Sequence, residues 1–232
     1  MLFYTKASAM RPFESKTLWP FQDYRSVLQD FERNCFKEEI EDISIGRGRY
    51  PFIVIESNNR THRDLITSKL AKRFFGNAIY SPPECLAMHK EVFSEANPLL
   101  NAFSMLGMYA ASHSVKTSYM NKPIILSGYW NYATALALDA ILPNKTQAPP
   151  WGSDCYRFPN DLLLPDVTVF IYLKKSKPPN KMFNWMVEET KIPRWLEMLT
   201  SMTEHPIDII ESCVEDLAIL VEVERCIDRR CE

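Results

Sequence analysis

Hydrophobic and polar residues follow one another along this chain in blocks that predict strands and helices in turn. Residues 52–55 form a continuous apolar run rich in β-branched side chains, which is typical of a strand that is buried on both faces. Polar residues occupy 56–64, and apolar residues then recur at helical spacing as far as Phe74. The stretch therefore predicts a buried strand, a polar turn and a helix. We expect the rest of the chain to be organised around it.

The same patterns predict four more strands and a series of helices between them. The strands are expected at 77–80, 124–126, 167–173 and 207–210. The helices are expected at 24–41, 86–93, 97–119, 131–141, 183–189, 194–202 and 214–226, the last with Leu217, Leu220 and Val221 facing inward. Strands that alternate with helices indicate right-handed crossovers and a parallel sheet with helices on both faces. The predicted fold class is therefore three-layer α/β with a five-stranded parallel sheet.

The length and the charge of the chain limit what it does. With 232 residues and 46% hydrophobic content, the chain is long enough for one sizeable core. We predict one domain at 50–232, preceded at 1–49 by an N-terminal arm and a helix. The arm is expected to be extended at 11–21, where proline and aromatic residues are frequent. The formal net charge of −2 gives no general attraction to nucleic acid or to an anionic membrane, and no apolar run approaches the roughly 20 residues of a membrane span.

The six cysteines give no sign of a metal site. They are scattered, with no CxxC pair and no Cys/His cluster at zinc spacing, so we predict no metal and reduced thiols in an intracellular protein. A cytoplasmic or nuclear location is preferred, because the N-terminus lacks the apolar region of a secretory signal. Residues 1–13 carry Lys6 and Arg11 and no acidic residue, which suits a short mitochondrial presequence as well as an ordinary terminus. A mitochondrial location is therefore the alternative.

Five segments of the chain are together typical of one known family. They are PFIVIE (51–56), YSPPECLAMHKEVF (80–93), AFSMLGMYAAS (102–112), PIILSGYWNYATALA (123–137) and FPNDLLLPDVTVFIYL (158–173). In this order they resemble the thymidylate kinase-like P-loop family, and most closely its mitochondrial UMP/CMP kinase type. The resemblance covers residues 50–223 and implies the P-loop NTPase-like fold of a nucleoside monophosphate kinase.

The family's first strand is followed by a phosphate loop of the form G-x-x-x-x-G-K-[ST], in which the glycines expose backbone N–H groups and the Lys and Ser/Thr serve the phosphates and Mg²⁺. The positions that correspond here without a gap are Ser57, Asn58, Asn59, Arg60, Thr61, His62, Arg63 and Asp64. Neither glycine is present, and Asp64 replaces the hydroxyl residue. At about 4 Å and an effective dielectric constant of about 20, a carboxylate beside a phosphate costs roughly 4 kcal/mol, or about a thousandfold in affinity. We therefore interpret 57–64 as a vestigial phosphate loop.

Two further parts of the family's site are also changed. The Asp-Arg pair expected at the end of the third strand, with an aromatic residue after it, is here Ser127-Gly128 followed by Tyr129, which we interpret as a vestigial acceptor site. In place of the lid arginines, the residues are Lys174, Lys175, Lys177, Lys181 and Arg194, which we interpret as a vestigial lid. Because phosphoryl transfer depends on positioning and electrostatics, the loss of all three parts predicts an inactive chain.

We therefore predict a catalytically inactive pseudoenzyme that binds or scaffolds another protein and needs no cofactor. Trp130, Trp151, Trp185 and Trp195 are aromatic residues of the kind found at interfaces, and the resemblance implies a homodimer through the 99–118 helix. The first alternative is a divergent pyrimidine nucleoside monophosphate kinase that uses ATP and Mg²⁺ and acts on UMP, CMP or dTMP. The second is a nucleic-acid-binding module that uses the lysine patch at 174–181.

Two other groups have both a chemical and a structural interpretation. Cys85 and His89, four residues apart on a predicted helix, suit a nucleophile and its base, but packing is preferred because no third partner is visible. Glu56 suits a metal ligand, but we prefer a role as acceptor of hydrogen bonds from the backbone of the following loop.

Overall fold

A parallel sheet carries the segment around which the sequence is organised. The computed structural model describes residues 2–14, 24–37, 48–93, 97–142, 147–174, 192–202, 204–205, 207–212 and 218–231. Its strands are β1 (Phe52–Ser57), β2 (Asn77–Tyr80), β3 (Ile124–Ser127), β4 (Val167–Leu173) and β5 (Ile207–Ser212), all parallel and in the order β2-β3-β1-β4-β5. Every residue of β1 and β3 is buried, as expected of interior strands covered on both faces. The predicted five-stranded parallel sheet is confirmed.

The register of the strands brings the ends of β1 and β3 together. Ile55 of β1 pairs with Ser127, the last residue of β3, and Glu56 pairs with Phe170 of β4 on the other side. Because all the strands run in one direction, their carboxyl ends form a single edge, which is where open α/β sheets bind ligands. A site that uses Glu56 and Ser127 must therefore lie at this edge.

Helices cover both faces of the sheet. They are α1 (Lys6–Glu14), α2 (Arg25–Asn34), α3 (Arg60–Arg73), α4 (Leu100–Ser118), α5 (Trp130–Ile141), α6 (Arg194–Thr200) and α7 (Ala218–Cys231), with the short 3-10 helices η1 (Glu84–His89) and η2 (Asp154–Tyr156). Residues of α3 and α7 share one core with Ile53 and Ile55 of β1. Residues of α1, α2, α4, α5 and α6 share the other core with Phe52 and Val54. Successive side chains of β1 thus enter opposite cores, which gives the three layers that the sequence predicts.

The N-terminal region is helical where it is described. α1 includes residues 11–14 of the predicted arm and packs against α4, burying Ala9 and Phe13. The backbone N–H of Lys6, the first residue of α1, donates to the carboxylate of Asp161 at 2.7 Å. The prediction of an extended arm is therefore wrong over 11–14, because packing of one helix face outweighs the local effect of proline. Residues 15–23 lie outside the described part of the chain.

The final helix turns different residues inward from those predicted. Ile219, Val223 and Ile227 of α7 are buried, whereas Val221 is 46% exposed. Leu220 is only partly buried, and Leu217 lies outside the described residues. Two positions along a helix correspond to about 200° of rotation, so a small error in the choice of face exchanges core and solvent. The prediction for Val221 is wrong, because contact with the sheet decides which face is buried.

The segment between β2 and α4 is shaped by a disulfide. Cys35, at the C-terminus of α2, and Cys85, in η1, are bonded to each other with a Cα–Cα distance of 5.5 Å. The prediction of reduced thiols is therefore wrong for this pair, whose members are 50 residues apart and meet only in the folded chain. The free cysteines of the described chain are Cys155, Cys226 and Cys231. With its thiol in the disulfide, Cys85 has no nucleophilic sulfur, and His89 instead lies 2.7 Å from Asp30 of α2.

α4 is largely covered by the chain itself. Asn101 is its one exposed residue, and α1 packs against it. The helix leaves little apolar surface for a homodimer through 99–118, which stays a prediction. In the described part of the chain, no helix combines the length and the apolar character needed to cross a membrane.

Candidate functional site

The turn after β1 is only two residues long, because α3 begins at Arg60. Asn59 is the N-cap of this helix, and its side-chain oxygen accepts a hydrogen bond from the N–H of His62 at 3.0 Å. Of residues 57–64, the first therefore ends β1, Asn58 and Asn59 form the turn, and the other five are helical. The sequence predicts a polar turn through the whole of this stretch. An asparagine at the cap position is the signal that indicates the earlier start.

Two backbone N–H groups at this turn and in the first turn of α3 are bonded within the protein. The N–H of Asn59 donates to Ser57 Oγ at 3.1 Å, and the N–H of Arg63 donates to the carbonyl of Asn59 at 3.0 Å. None of residues 57–64, all of which are described, has a positive φ. A phosphate cradle needs N–H groups that converge on the anion, and residues with positive φ commonly provide that curvature. The segment occupies the place of a phosphate loop without its backbone geometry.

Arg63 reaches from α3 to the end of β3. Its Nε donates to Ser127 Oγ at 2.8 Å, the hydroxyl of Ser127 donates to Oδ1 of Asp64, and Arg63 Nη2 lies 3.4 Å from the same carboxylate oxygen. The Arg63 side chain is only 13% exposed. Burial lowers the pKa of Arg63, while the carboxylates of Asp64 and Glu56 act in the opposite direction. The guanidinium is thus hydrogen-bonded and neutralised by the chain's own residues.

Gly128 makes room for the Arg63 guanidinium. Its φ is +77°, and a Cβ at this position would lie 2.7 Å from Arg63 Nη1 and 2.8 Å from Arg63 Cζ. The N–H of Gly128 donates to the carbonyl of Ile55 at 2.9 Å, which fixes this backbone against β1. A residue without a side chain fits both the dihedral angle and the space. The Ser127-Gly128 pair, interpreted from the sequence as a vestigial acceptor site, therefore lies against the side chain of Arg63, a residue of the segment interpreted as a vestigial phosphate loop.

Glu56 is fully buried beneath the first turn of α5. Its Oε1 accepts the N–H of Tyr129 at 3.2 Å, and its Oε2 accepts the N–H of Tyr132 at 3.0 Å. Burial raises the pKa of Glu56 to about 7, against the opposing effect of these N–H groups and of Arg63. Glu56 accepts backbone hydrogen bonds, as preferred, but the predicted donors are wrong, because the N–H groups belong to Tyr129 and Tyr132 at the start of α5 and not to the turn after β1. The ring of Tyr129, the aromatic residue of the predicted acceptor site, is buried and packs against Phe52 with 5.6 Å between ring centroids.

An open cavity of about 440 Å³ lies beside this network. Its lining includes Arg60, Arg63, Lys90 and Phe93. The Phe93 ring stacks on Phe103, with 4.2 Å between centroids. No local pattern in the sequence indicates Lys90 or Phe93 as site residues, because they come to the cavity through the path of the chain after η1. The cavity combines positive charge with apolar surface, so it suits an anion that has an apolar part.

The described residues of the predicted lid lie elsewhere. Lys174 Nζ is 2.5 Å from Glu211, and Arg194 Nε donates to Asp139 Oδ1 at 2.6 Å. Neither Lys174 nor Arg194 lines the 440 Å³ cavity. The remaining lid residues, Lys175, Lys177 and Lys181, lie outside the described part of the chain. Across the described ranges, no group of three or more His, Cys, Asp or Glu side chains is arranged to hold a metal ion.

Known proteins with similarity to this chain include two kinases. No family model matches the chain. Human mitochondrial UMP-CMP kinase 2 is 23% identical over 175 residues, which are 75% of this chain and 37% of that protein. The chain thus spans little more than a third of the length of this curated relative. The solved structure of thymidylate kinase from Candida albicans has a TM-score of 0.47 and 12% identity, and the match covers 79% of this chain and 94% of that one.

The parallel sheet and the helices on both faces define a three-layer α/β protein, and its sequence is similar to that of a UMP-CMP kinase. The chain has a fold of the nucleoside monophosphate kinase type, similar to the thymidylate kinase-like P-loop family.

Proposed function

We propose that this chain is a kinase-fold pseudoenzyme that does not transfer phosphoryl groups and acts as a binding module. The observation that carries the proposal is the position of the Arg63 guanidinium. By the resemblance, Arg63 corresponds to the lysine that contacts phosphate in the family's loop. Its guanidinium is nevertheless hydrogen-bonded to Ser127, lies beside Asp64 and fills the space next to Gly128. A cation that is neutralised internally gives little stabilisation to the charge that develops during phosphoryl transfer.

Two other features support the absence of transfer. Residues 57–64 have no positive φ, and the N–H groups of Asn59, His62 and Arg63 are bonded within the protein. Ser127 and Gly128 supply neither a carboxylate near a metal nor a guanidinium for an acceptor phosphate. ATP and Mg²⁺ are therefore not cofactors under this proposal.

The partner in this proposal is another protein. Of the four tryptophans considered as interface anchors, Trp151 is 72% exposed, whereas Trp130 is 1% exposed and belongs to the core. Trp195 packs against Tyr132 and Phe170, and Trp185 lies outside the described residues. Among the tryptophans that the structure describes, Trp151 is thus the one best placed for an interface. A partner protein is preferred to a second copy bound through 99–118, because α4 is covered by α1.

Calorimetry and a coupled kinase assay test the proposal. ATP with Mg²⁺ is expected to show no saturable binding, and transfer to UMP, CMP or dTMP is expected to stay at background. Arg63→Ala serves as the site variant, and Lys122→Ala, an exposed lysine away from the cavity, serves as its matched control. Turnover that is present in the native chain and in Lys122→Ala but absent in Arg63→Ala would establish the divergent-kinase alternative and overturn the proposal.

The nucleic-acid alternative has its own test. Lys174 is the one residue of the 174–181 patch that the structure describes, and it is paired with Glu211. A module that binds through this patch must lose affinity steeply with rising salt. We expect a gel-shift titration to show no salt-dependent complex.

A further inference from the structure

A second cavity continues from the first along the seam between α4 and α5. Its volume is about 210 Å³. The residues that line both cavities are Leu100, Ser104, Met108, Ala133 and Leu136. Two cavities that share this many wall residues are adjoining parts of one elongated space, which we call the α4–α5 groove.

The two parts of the α4–α5 groove differ in charge. The larger part is lined by Arg60, Arg63, Lys90 and Glu56, whereas no charged residue lines the smaller part. The smaller part is lined by Leu2 and Phe3 of the N-terminal segment and by residues of α4 and α5, which are mostly methionine, leucine and alanine together with the uncharged polar Asn101, Ser104 and Thr134. The groove therefore has a cationic end and an apolar end.

Arg60 and Lys90 are the cations best placed to bind a ligand. Arg63 is bonded to Ser127, and the oxygens of Glu56 accept N–H groups of α5. The Arg60 side chain is 51% exposed, and its Nε lies 3.7 Å from Asp64 Oδ2, which is a long distance for an ion pair. Lys90 is exposed and forms no ion pair with any residue that the structure describes. A phosphate has the charge and the acceptor oxygens to bind both side chains.

The apolar end has a side chain that a ligand would cover. Leu136 lines both parts of the groove and is nevertheless 41% exposed, in a helix whose buried face lies against the core. A methylene chain lying along the seam would remove this surface from water at no cost in hydrogen bonding. The groove therefore has positive charge at one end and exposed apolar surface at the other, and this combination is complementary to an amphiphile.

We propose that the α4–α5 groove binds a single-chain amphiphile, with a phosphate head between Arg60 and Lys90 and an apolar tail along the seam towards Leu2 and Phe3. This inference goes beyond the proposed function, because it does not depend on the loss of phosphoryl transfer.

A series of n-alkyl phosphates tests the proposal on the native chain. Calorimetric titration is carried out with butyl, hexyl, octyl and decyl phosphate below their micelle concentrations. Affinity is expected to rise about fourfold for each methylene buried, until the seam is full. Inorganic phosphate, which has only the head, and octyl glucoside, which has a neutral head, are expected to bind at least tenfold more weakly than octyl phosphate. Equal affinity for inorganic and octyl phosphate would overturn the proposal.

Variants at the two ends locate the ligand. Lys90→Ala is expected to weaken octyl phosphate binding about tenfold, whereas Lys122→Ala is expected to leave it unchanged. Leu136→Asp is expected to abolish binding, whereas Ile141→Asp, on the same helix and 48% exposed, does not line the groove and is expected to have no effect. Circular dichroism is used to check that each variant folds. If Leu136→Asp does not fold, the alkyl phosphate series on the native chain tests whether the apolar end of the groove is used.

Nucleotide titrations separate this proposal from the preceding one. Binding of UMP without binding of any alkyl phosphate would refute the amphiphile alone. Kinase turnover together with chain-length-dependent binding would refute the pseudoenzyme proposal and leave the amphiphile standing. Binding that neither grows with chain length nor responds to Leu136→Asp would show that the apolar end is not used, and would also overturn the inference.

Discussion

Replacing Gly128 by alanine is expected to destabilise the protein by more than the backbone alone accounts for. At φ +77° an alanine is in the left-handed region, which costs about 1 to 2 kcal/mol. Its Cβ would also lie 2.7 Å from Arg63 Nη1, so the guanidinium must move. That movement breaks the 2.8 Å hydrogen bond from Arg63 to Ser127, and hydrogen bonds of charged groups contribute about 1.5 to 3 kcal/mol. We expect a total loss of about 3 to 4 kcal/mol.

Gly152 provides the matched control for this substitution. Its φ of +80° is nearly the same, but nothing lies within 4 Å of the position of an added Cβ. Gly152→Ala therefore isolates the dihedral cost, and urea denaturation followed by circular dichroism measures both variants. The excess loss at Gly128, about 2 kcal/mol, is attributed to displacement of Arg63.

A double-mutant cycle assigns that excess to the Arg63 side chain. In the background of Arg63→Ala, the guanidinium is absent, so Gly128→Ala is expected to cost no more than Gly152→Ala. If Gly128→Ala costs the same as Gly152→Ala in the native chain, Arg63 does not occupy the space beside Gly128. The central argument for the pseudoenzyme proposal would then be refuted.

Two further predictions concern stability. Glu56 has a pKa of about 7 in the folded chain against 4.5 ordinarily, so its contribution to stability is full below pH 4.5 and is lost as the pH rises through about 7, a difference of about 3 kcal/mol. Glu56→Gln is expected to flatten the pH dependence of urea midpoints over this range. The Cys35–Cys85 disulfide closes a loop of 50 residues, so its removal in the Cys35→Ala, Cys85→Ala variant is expected to lower the free energy of unfolding by about 4 kcal/mol.

Each of these has a direct control. Glu224→Gln, at another acidic residue that is buried in the fold, tests whether loss of any such carboxylate has the effect of Glu56→Gln. A pH profile of Glu56→Gln identical to that of the native chain would contradict the assignment of the raised pKa. A reducing agent should destabilise the native chain and leave the cysteine variant unchanged, and equal melting temperatures with and without reductant would exclude the disulfide.

The secondary structure could largely be predicted from the sequence because its signals are local. The apolar runs of β1, β3 and β4 are continuous and short, and burial on both faces of a parallel sheet is what such runs require. α4 is long and apolar, and its position was indicated as well. The predictions that failed depended on which surface an element meets. α1 is helical where an extended arm is predicted, because it packs on α4. In α7, Val223 is buried instead of Val221, because the contact with the sheet decides which face points inward.

The site was less predictable than the fold. The sequence shows the missing glycines at 57–64 and the Ser127-Gly128 pair, but by itself it indicates only that family residues are absent there. The structure shows that these positions form a hydrogen-bonded network of their own. Arg63 is bonded to Ser127, Ser127 is bonded to Asp64, and Gly128 leaves space for the guanidinium. Arg63 and Ser127 are 64 positions apart, and no local pattern indicates that they touch.

The sequence by itself determined the order of strands and helices, the layered α/β architecture and the absence of phosphate-loop glycines, because hydrophobic period and residue type are properties of neighbouring positions. Only the tertiary structure decided the Cys35–Cys85 bond, the direction of Arg63, the donors to Glu56 and the groove between α4 and α5. These depend on side chains brought together by strand register and helix packing, and such contacts exist only when the whole sheet has formed.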